Sequence, residues 1–316
     1  MNKEYKFIYK KIKEYDTIVI ARHKNSDMDA LGSQYALKEW INLNFEDKKV
    51  YCIGENHQKY TTKGFIPLSD TFDGDTPFLG ICLDVNTNDR TAGEEVFKKA
   101  SYKICIDHHH YKENNEYDFI CIENTASACC EIIAKMLFSY KKKMSSQVCK
   151  YLYAGLSSDS GNFYYPSTTP ETLSIASKLM EVGKFNPYNE IHMIVGMKTL
   201  KDLKLANYLF SKIVVDPDGF AYFENSLADL ASLEVTASAA NEKIAEFNKV
   251  EEIKIFLAAS ECEDHTFRCS LRSKDISVVE VAQKYGGGGH NLACGIKSIS
   301  KENLEKMKLE LINLTK

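Results

Sequence analysis

Tyr102-Lys103-Ile104-Cys105-Ile106-Asp107-His108-His109-His110 is the stretch from which this 316-residue chain can be read outward. The apolar, β-branched run up to Ile106 predicts a buried strand, so an aspartate and three imidazoles emerge together at its carboxyl end. Open α/β sheets carry their chemistry at that end. Consecutive histidines contribute little to a core, because each ring brings two nitrogens to satisfy and little apolar area. They point to a site.

Upstream, Thr17 to Ala21 predicts a first strand, followed by Arg22-His23-Lys24-Asn25-Ser26-Asp27-Met28-Asp29 and a helix through Trp40 and Leu43. Helix capping would explain either aspartate alone. It does not explain both together with His23, since H-x-x-x-D-x-D at a strand end aims one imidazole and two carboxylates at one small volume. Lys49 to Gly54 predicts a second strand, and Pro77 to Leu83 a third that ends in Asp84. Phe119 to Ile122 supplies a fifth strand. A helix follows Asn124 with Ser127 as its expected cap, and another, Val148 to Leu156, leads into a turn at Asp159. His23, Asp27, Asp29, Asp84, His108 and Asp159, with Asp107 and His109 beside them, therefore gather at loop or strand ends. Two histidines and four carboxylates suit hard-to-borderline divalent ions, and a carboxylate such as Asp84 can bridge two of them.

Alternation of strands and helices predicts an α/β fold: a mostly parallel sheet flanked by helices, then a smaller mixed-sheet α/β domain. The expected boundaries are 1–185 for the metal-binding domain, 186–209 for a helical linker and 210–316 for the second domain. In the latter, Ile213 to Phe223 reads as a hairpin turning at Asp216-Pro217-Asp218-Gly219. Strands follow near Ile253 to Ala259 and Thr266 to Leu271, then a helix from Ser277 to Tyr285, a glycine run and a terminal helix from Lys301.

A net charge of −4 disfavours a general duplex-DNA binder but admits a local nucleotide pocket. Ten cysteines without C-x-x-C spacing are read as free thiols. The amino-terminal segment lacks the apolar core of a signal peptide, and no window reaches the roughly 18 apolar residues of a membrane span. A soluble cytoplasmic protein is expected.

Four motifs, I-A-R-H-K-N-S-D-M-D-A-L-G, C-L-D-V-N, D-H-H and S-D-S-G-N-F, resemble those of the DHH phosphoesterase superfamily. The carboxyl-terminal R-C-S-L-R-S and G-G-G-G-H-N-L-A-C-G are similar to the DHH-associated domain. The resemblance spans nearly the whole chain and is nearest the nanoRNase and 3′,5′-bisphosphate nucleotidase (pAp phosphatase) group with its di-adenylate phosphodiesterases. It implies that His23, Asp27 and Asp84 hold one metal and that Asp29, Asp84, His108 and Asp159 hold the other. Manganese is the preferred ion, with magnesium or cobalt as alternatives. His109 and Asp107 take the catalytic positions, His109 facing the substrate and Asp107 behind the ligands. Arg272, Gly288, Gly289 and His290 would grip a phosphate, through a forked guanidinium and close backbone approach. The expected activity is hydrolysis of very short nucleotides (nanoRNA, linear or cyclic dinucleotides, 3′-phosphoadenosine 5′-phosphate) by a hydroxide activated between two cations. Short oligonucleotides are thus the expected partners, and a homodimer is compatible with the family. A pyrophosphatase or exopolyphosphatase shares the metal motifs, and a nucleotide-binding sensor without turnover is the alternative outside enzymes.

Overall fold

The computed structural model describes residues 2–111, 116–244, 247 and 250–316. Its backbone divides into two compact units, Met1–Met197 and Lys198–Lys316.

In the first unit the strands are β1 (Thr17–Ala21), β2 (Lys49–Cys52), β3 (Leu79–Leu83), β4 (Tyr102–Asp107) and β5 (Phe119–Ile122). They form a sheet in the order β2-β1-β3-β4-β5, with every pairing parallel. Residues alternate between its faces, so each strand splits its apolar side chains between two cores. Ile18, Ile20, Leu79, Ile81, Ile104 and Ile106 face helices Lys3–Glu14, Met28–Asn44, Cys129–Ser139 and Ser146–Asp159. Val19, Ala21, Cys82 and Cys105 face a thinner layer built from Phe78, Phe97 and Tyr117. Burial on both faces is why β1 and β3 read as unbroken apolar runs.

Ala21 pairs with Cys82 and Cys82 with Cys105, which sets His23, Asp84 and Asp107 in one row two residues further on. Because the chain leaves β1 towards β2 and returns on the other side as β3, the crevice at the carboxyl ends opens between β1 and β3. His23 and Asp84 flank it.

The second unit holds β6 (Val214–Val215), β7 (Phe220–Asn225), β8 (Ile255–Glu261), β9 (Phe267–Ser273), β10 (Gly288–His290) and β11 (Ala293–Ile299), ordered β10-β11-β9-β8-β7-β6. Only β7 and β8 run parallel among these described strands, so the sheet is mixed. One face packs on helices Val279–Lys284 and Lys301–Thr315 through Leu257, Leu271, Ala282 and Leu304. The other packs Phe223, Phe256 and Ala258 against Leu205 and Leu209 of helix Leu200–Ser211.

Three details differ from the sequence expectation. The segment 186–209 is helical over Tyr188–Val195 and again from Leu200, the break lying just before Thr199, which caps the second piece. Part of the glycine run, for which no strand is expected, is the edge strand β10. Ser127 does not cap the helix that begins at Cys129; its hydroxyl donates to Glu131 instead, 2.8 Å away. All ten cysteines are free, and nine are buried.

Candidate metal centre

Backbone pairing fixes the first histidine. The amide of Lys24 donates to the carbonyl of Arg90 (2.7 Å) and that of Ala92 to the carbonyl of Arg22 (2.8 Å), holding His23 at the mouth of the crevice. Its Nδ1 contacts the Lys24 carbonyl at 2.8 Å. His108, two residues past Ile106, has its Nδ1 3.3 Å from the carbonyl of Ala126. A carbonyl only accepts, so both rings carry their proton on Nδ1 and turn Nε2 towards the carboxylates. Metal-binding histidines are oriented in this way.

Asp84 lies between the two rings. Its Oδ2 is 3.4 Å from His23 Nε2, and its Oδ1 is 3.4 Å from His108 Nε2. His23 Nε2 is also 3.7 Å from Asp27 Oδ2, and His108 Nε2 is 3.4 Å from Asp159 Oδ2. These separations are too long for hydrogen bonds. Two ligands each about 2.1 Å from a shared ion stand roughly 3.4 Å apart at tetrahedral angles. Among the described residues, Asp84 Oδ1 is buried without a hydrogen-bond partner, which a cation would satisfy. Asp84 also takes a left-handed backbone conformation, φ 60°, at a cost of about 1 kcal/mol.

Both upstream aspartates do cap helices, and the capping is part of the site. Asp27 Oδ1 accepts from the amides of Asp29 and Ala30 at 3.0 Å each, which leaves Oδ2 towards His23. Asp29, already inside that helix, caps a different one: its oxygens accept from the amides of Cys129 (2.6 Å) and Cys130 (2.8 Å). Asp29, His108 and Asp159 form one group with ligand atoms within 4.8 Å of one another, and His23, Asp27 and Asp84 form another. Asp159 is the last residue of helix Ser146–Asp159, not part of the following turn. That helix approaches Asp29 through Gly155, where a Cβ would sit 2.3 Å from Cys130 Sγ and 3.0 Å from Asp29 Oδ1.

The electrostatics expose a shortage of positive charge. Burial, then the charge of Asp84, push Asp29 up to about 7; burial and Asp29 push Asp159 well above the carboxylate range. Burial opposes ionisation of both imidazoles, yet Asp27 and Asp84 carry His23 up to about 11, and Asp84 with Asp29 and Asp159 carries His108 up to about 10. Burial opposes the Asp84 anion as well, but His108 and His23 hold it well below its ordinary value. A divalent cation supplies the missing charge without protons. The donor set therefore fits metal.

Asp107 plays a different part. Its Oδ1 accepts from the amides of His108 (2.7 Å) and His109 (3.2 Å) and meets His109 Nδ1 at 2.8 Å, while Oδ2 accepts from Asn86 at 2.8 Å. Its bonds are spent on shaping the His108–His109 turn. Asn86 is not among the site residues expected from the sequence, although it closes the C-L-D-V-N motif two residues after Asp84. His110 is exposed and contacts Asn124.

In the second unit, Arg272 on β9 pairs with Ala293 on β11, and Ala293 pairs with His290 on β10. Residues directly opposite share a sheet face, so Arg272 and His290 flank a small alanine on one face. Gly288 and Gly289 pair with Gly295 and Cys294. The hairpin is held by the Ser273 and Val278 amides, which donate to the carbonyls of Leu292 (2.9 Å) and Asn291 (2.8 Å).

Residues 17–156 match the DHH family, N-terminal domain, and residues 223–316 match the DHHA1 domain. The chain is 33% identical over 312 residues, 99% of each sequence, to a Streptococcus mutans protein named "Probable bifunctional oligoribonuclease and PAP phosphatase NrnA". It is 31% identical to the bifunctional oligoribonuclease and PAP phosphatase NrnA of Mycoplasma genitalium, over 93% of this chain and 92% of that one. The Bacillus subtilis protein of the same name is 27% identical over 96% of both. Among solved structures, an exopolyphosphatase-related protein from Bacteroides fragilis shares the fold, with a TM-score of 0.82 and 20% identity over 100% of this chain and 99% of its own. Fold, donor set and relatives together define a metal-dependent phosphoesterase, a hydrolase. The chain belongs to the DHH family and carries a DHHA1 domain.

Proposed function

We propose that this hydrolase acts on very short nucleotides: RNA of a few residues, linear or cyclic dinucleotides, and 3′-phosphoadenosine 5′-phosphate. The observation that carries the reading is Asp84, whose two oxygens face separate imidazole–carboxylate groups. The names of the relatives support the substrate class.

His23, Asp27 and Asp84 would hold one divalent cation, and Asp29, Asp84, His108 and Asp159 a second, with manganese preferred for a mixed imidazole and carboxylate set. Such ions, when bound, lower the pKa of water and offset the negative charge of a phosphoryl group. Around them, the protein's own groups have defined tasks. Asp107 Oδ1 already accepts from two amides, so His109 turns an Nδ1–H to it, and Nε2, when it is protonated as well, is the atom that would donate to a phosphoryl or leaving oxygen. Asp107 and Asn86 keep that ring from turning. Arg272, whose Nη1 donates to the Leu271 carbonyl at 2.8 Å, would have to turn its guanidinium N–H groups to a phosphate, with His290 on the same sheet face as a further donor.

Manganese-dependent product release from pApA, short RNA, 3′-phosphoadenosine 5′-phosphate and pyrophosphate, measured side by side, tests the proposal. Turnover confined to pyrophosphate overturns it. Arg272→Ala should raise KM for the nucleotides about tenfold to a hundredfold while sparing a small artificial phosphodiester; equal losses on both argue against the clamp.

A further inference from the structure

Helix Cys129–Ser139 begins without a cap of its own, because Ala128 stands at the N-cap position and has no side-chain acceptor to give. A local capping box would use one side chain before the helix and a Glu or Gln at its third residue. Here the two halves come from different places. The forward half is Asp29, whose Oδ2 and Oδ1 accept from the amides of Cys129 and Cys130. The return half is Glu131, the third residue of the helix, whose Oε2 accepts from the Ser127 amide at 3.2 Å and from the Ser127 hydroxyl at 2.8 Å. The same oxygen accepts from the Thr172 hydroxyl at 2.8 Å.

Glu131 is 1% exposed, and a carboxylate buried to that degree is costly unless its oxygens are met. A lysine meets them only loosely: Lys135 Nζ stands 3.6 Å from Glu131 Oε1 but 2.6 Å from Glu123. The buried carboxylate is held chiefly by neutral donors. Thr172 is itself buried and shares a capping box with Thr169 at the start of helix Pro170–Gly183, so Glu131 ties Ser127 to a fixed point inside the protein. Ser127 lies between the two stretches of backbone that serve the metal centre. One residue before it, the Ala126 carbonyl faces His108 Nδ1 at 3.3 Å. Two and three residues after it come the amides that hold Asp29. An apolar side chain could fill the volume of Glu131, but it could not fasten this turn. His108 and Asp29 belong, with Asp159, to one proposed ligand group. His23 and Asp27 are oriented elsewhere, by the Lys24 carbonyl and by the amides of Asp29 and Ala30.

We propose that Glu131 is a positioning residue for the cation assigned to Asp29, His108 and Asp159, and that it leaves the His23–Asp27 position alone. The inference rests on the two-cation reading above. Glu131 acts through the turn 126–130, whose carbonyl sets the ring of His108 and whose amides set the carboxylate of Asp29. Groups that orient metal ligands in this way cost about 10–100-fold in metal affinity when they are removed.

The test titrates full-length, metal-free protein with manganese by calorimetry in two backgrounds. Asp27→Asn impairs the first position and leaves the second, and Asp159→Asn does the reverse. In the Asp27→Asn background, Glu131→Ala should raise the Kd for manganese about 10–100-fold, whereas in the Asp159→Asn background it should change the Kd by no more than about twofold. Glu131→Gln, which keeps an oxygen for the Ser127 and Thr172 donors, should bring the Kd in the first background back to within about threefold. Ser127→Ala removes one of the three donors and should show the same asymmetry at about threefold to tenfold, which keeps the test open should Glu131→Ala fail to fold. Equal weakening in both backgrounds marks a general structural role and overturns the inference, as does no weakening in either. Unsubstituted protein that binds fewer than two manganese ions overturns the two-cation reading, and the inference with it.

Discussion

Asp84 combines three properties that rarely coincide in one side chain: burial, a left-handed backbone and an oxygen turned towards each of two imidazoles. Replacing it with asparagine keeps the shape and removes the charge. Asp84→Asn should lower kcat at least about a thousandfold and weaken manganese binding at both proposed positions, as read by titration calorimetry; two intact binding events would remove its bridging role. Asp107 makes a subtler prediction. An amide cannot accept at every point where the carboxylate now does, so Asp107→Asn should loosen the His108–His109 turn and cost about 10–100-fold in activity. Steady-state kinetics beside a metal titration will show whether the loss follows His109 or the ions. Asp29 acts at the same scale, since one carboxylate serves as both a proposed ligand and the cap of a helix 100 residues away in sequence.

Among the elements, the contact of helix Ser146–Asp159 with helix Met28–Asn44 carries the most consequence for the site, since it brings Asp159 to Asp29. Gly155→Ala would drive a methyl into Cys130 and Asp29, so a loss of about 1–3 kcal/mol in stability is expected, together with weaker metal binding. Thermal melts with and without manganese measure both. The second unit relies on capping carboxylates. Asp202 is held well below its ordinary value by Lys243 and the Thr199 amide. For Asp229, burial opposes the anion, but Lys212 and Tyr208 more than offset it. Groups whose folded pKa is depressed add stability that is present above their unfolded value, 3.8, and is lost as pH falls through the folded one. Stability of this unit should therefore begin to fall below about pH 4, and Ser226→Ala should cost about 1 kcal/mol at neutral pH by removing the matching cap. Element by element, the sequence is legible where burial is two-sided: β1 and β3 are uninterrupted apolar runs, β4 becomes one from Ile104, and the polar residues that end these runs mark the crevice. It was less legible where the decisive contact is remote. No spacing rule links Asp29 to the amides of Cys129 and Cys130, so Ser127 was the natural cap to expect. Asp159 passed for a turn residue because Gly161 follows it. β11 alternates glycine, lysine and serine with buried Cys294 and Ile296, a pattern half-hidden by its exposed face.

At the scale of the whole molecule, the proposed ligands all belong to Met1–Met197, whereas Arg272 and His290 belong to Lys198–Lys316. Ion binding should then stabilise one unit selectively. Manganese at a hundred times its Kd adds about 2.7 kcal/mol to the unit that binds it. In calorimetry the first unit's transition should move up by several degrees while the second stays in place, and a uniform shift of both would contradict the assignment. No helix among the described residues is long and apolar enough to cross a membrane. The ring nitrogens of His23 and His108 are steered by backbone carbonyls, and Asp27 and Asp29 are tethered to amides, so hydrogen bonds within the protein preset the cage of proposed donors. A preset cage has little means of rejecting an intruder by refusing to close. Selection among first-row metals would then fall to ligand type and supply rather than to folding, so excess zinc should compete with manganese for the proposed donors without lowering the melting temperature.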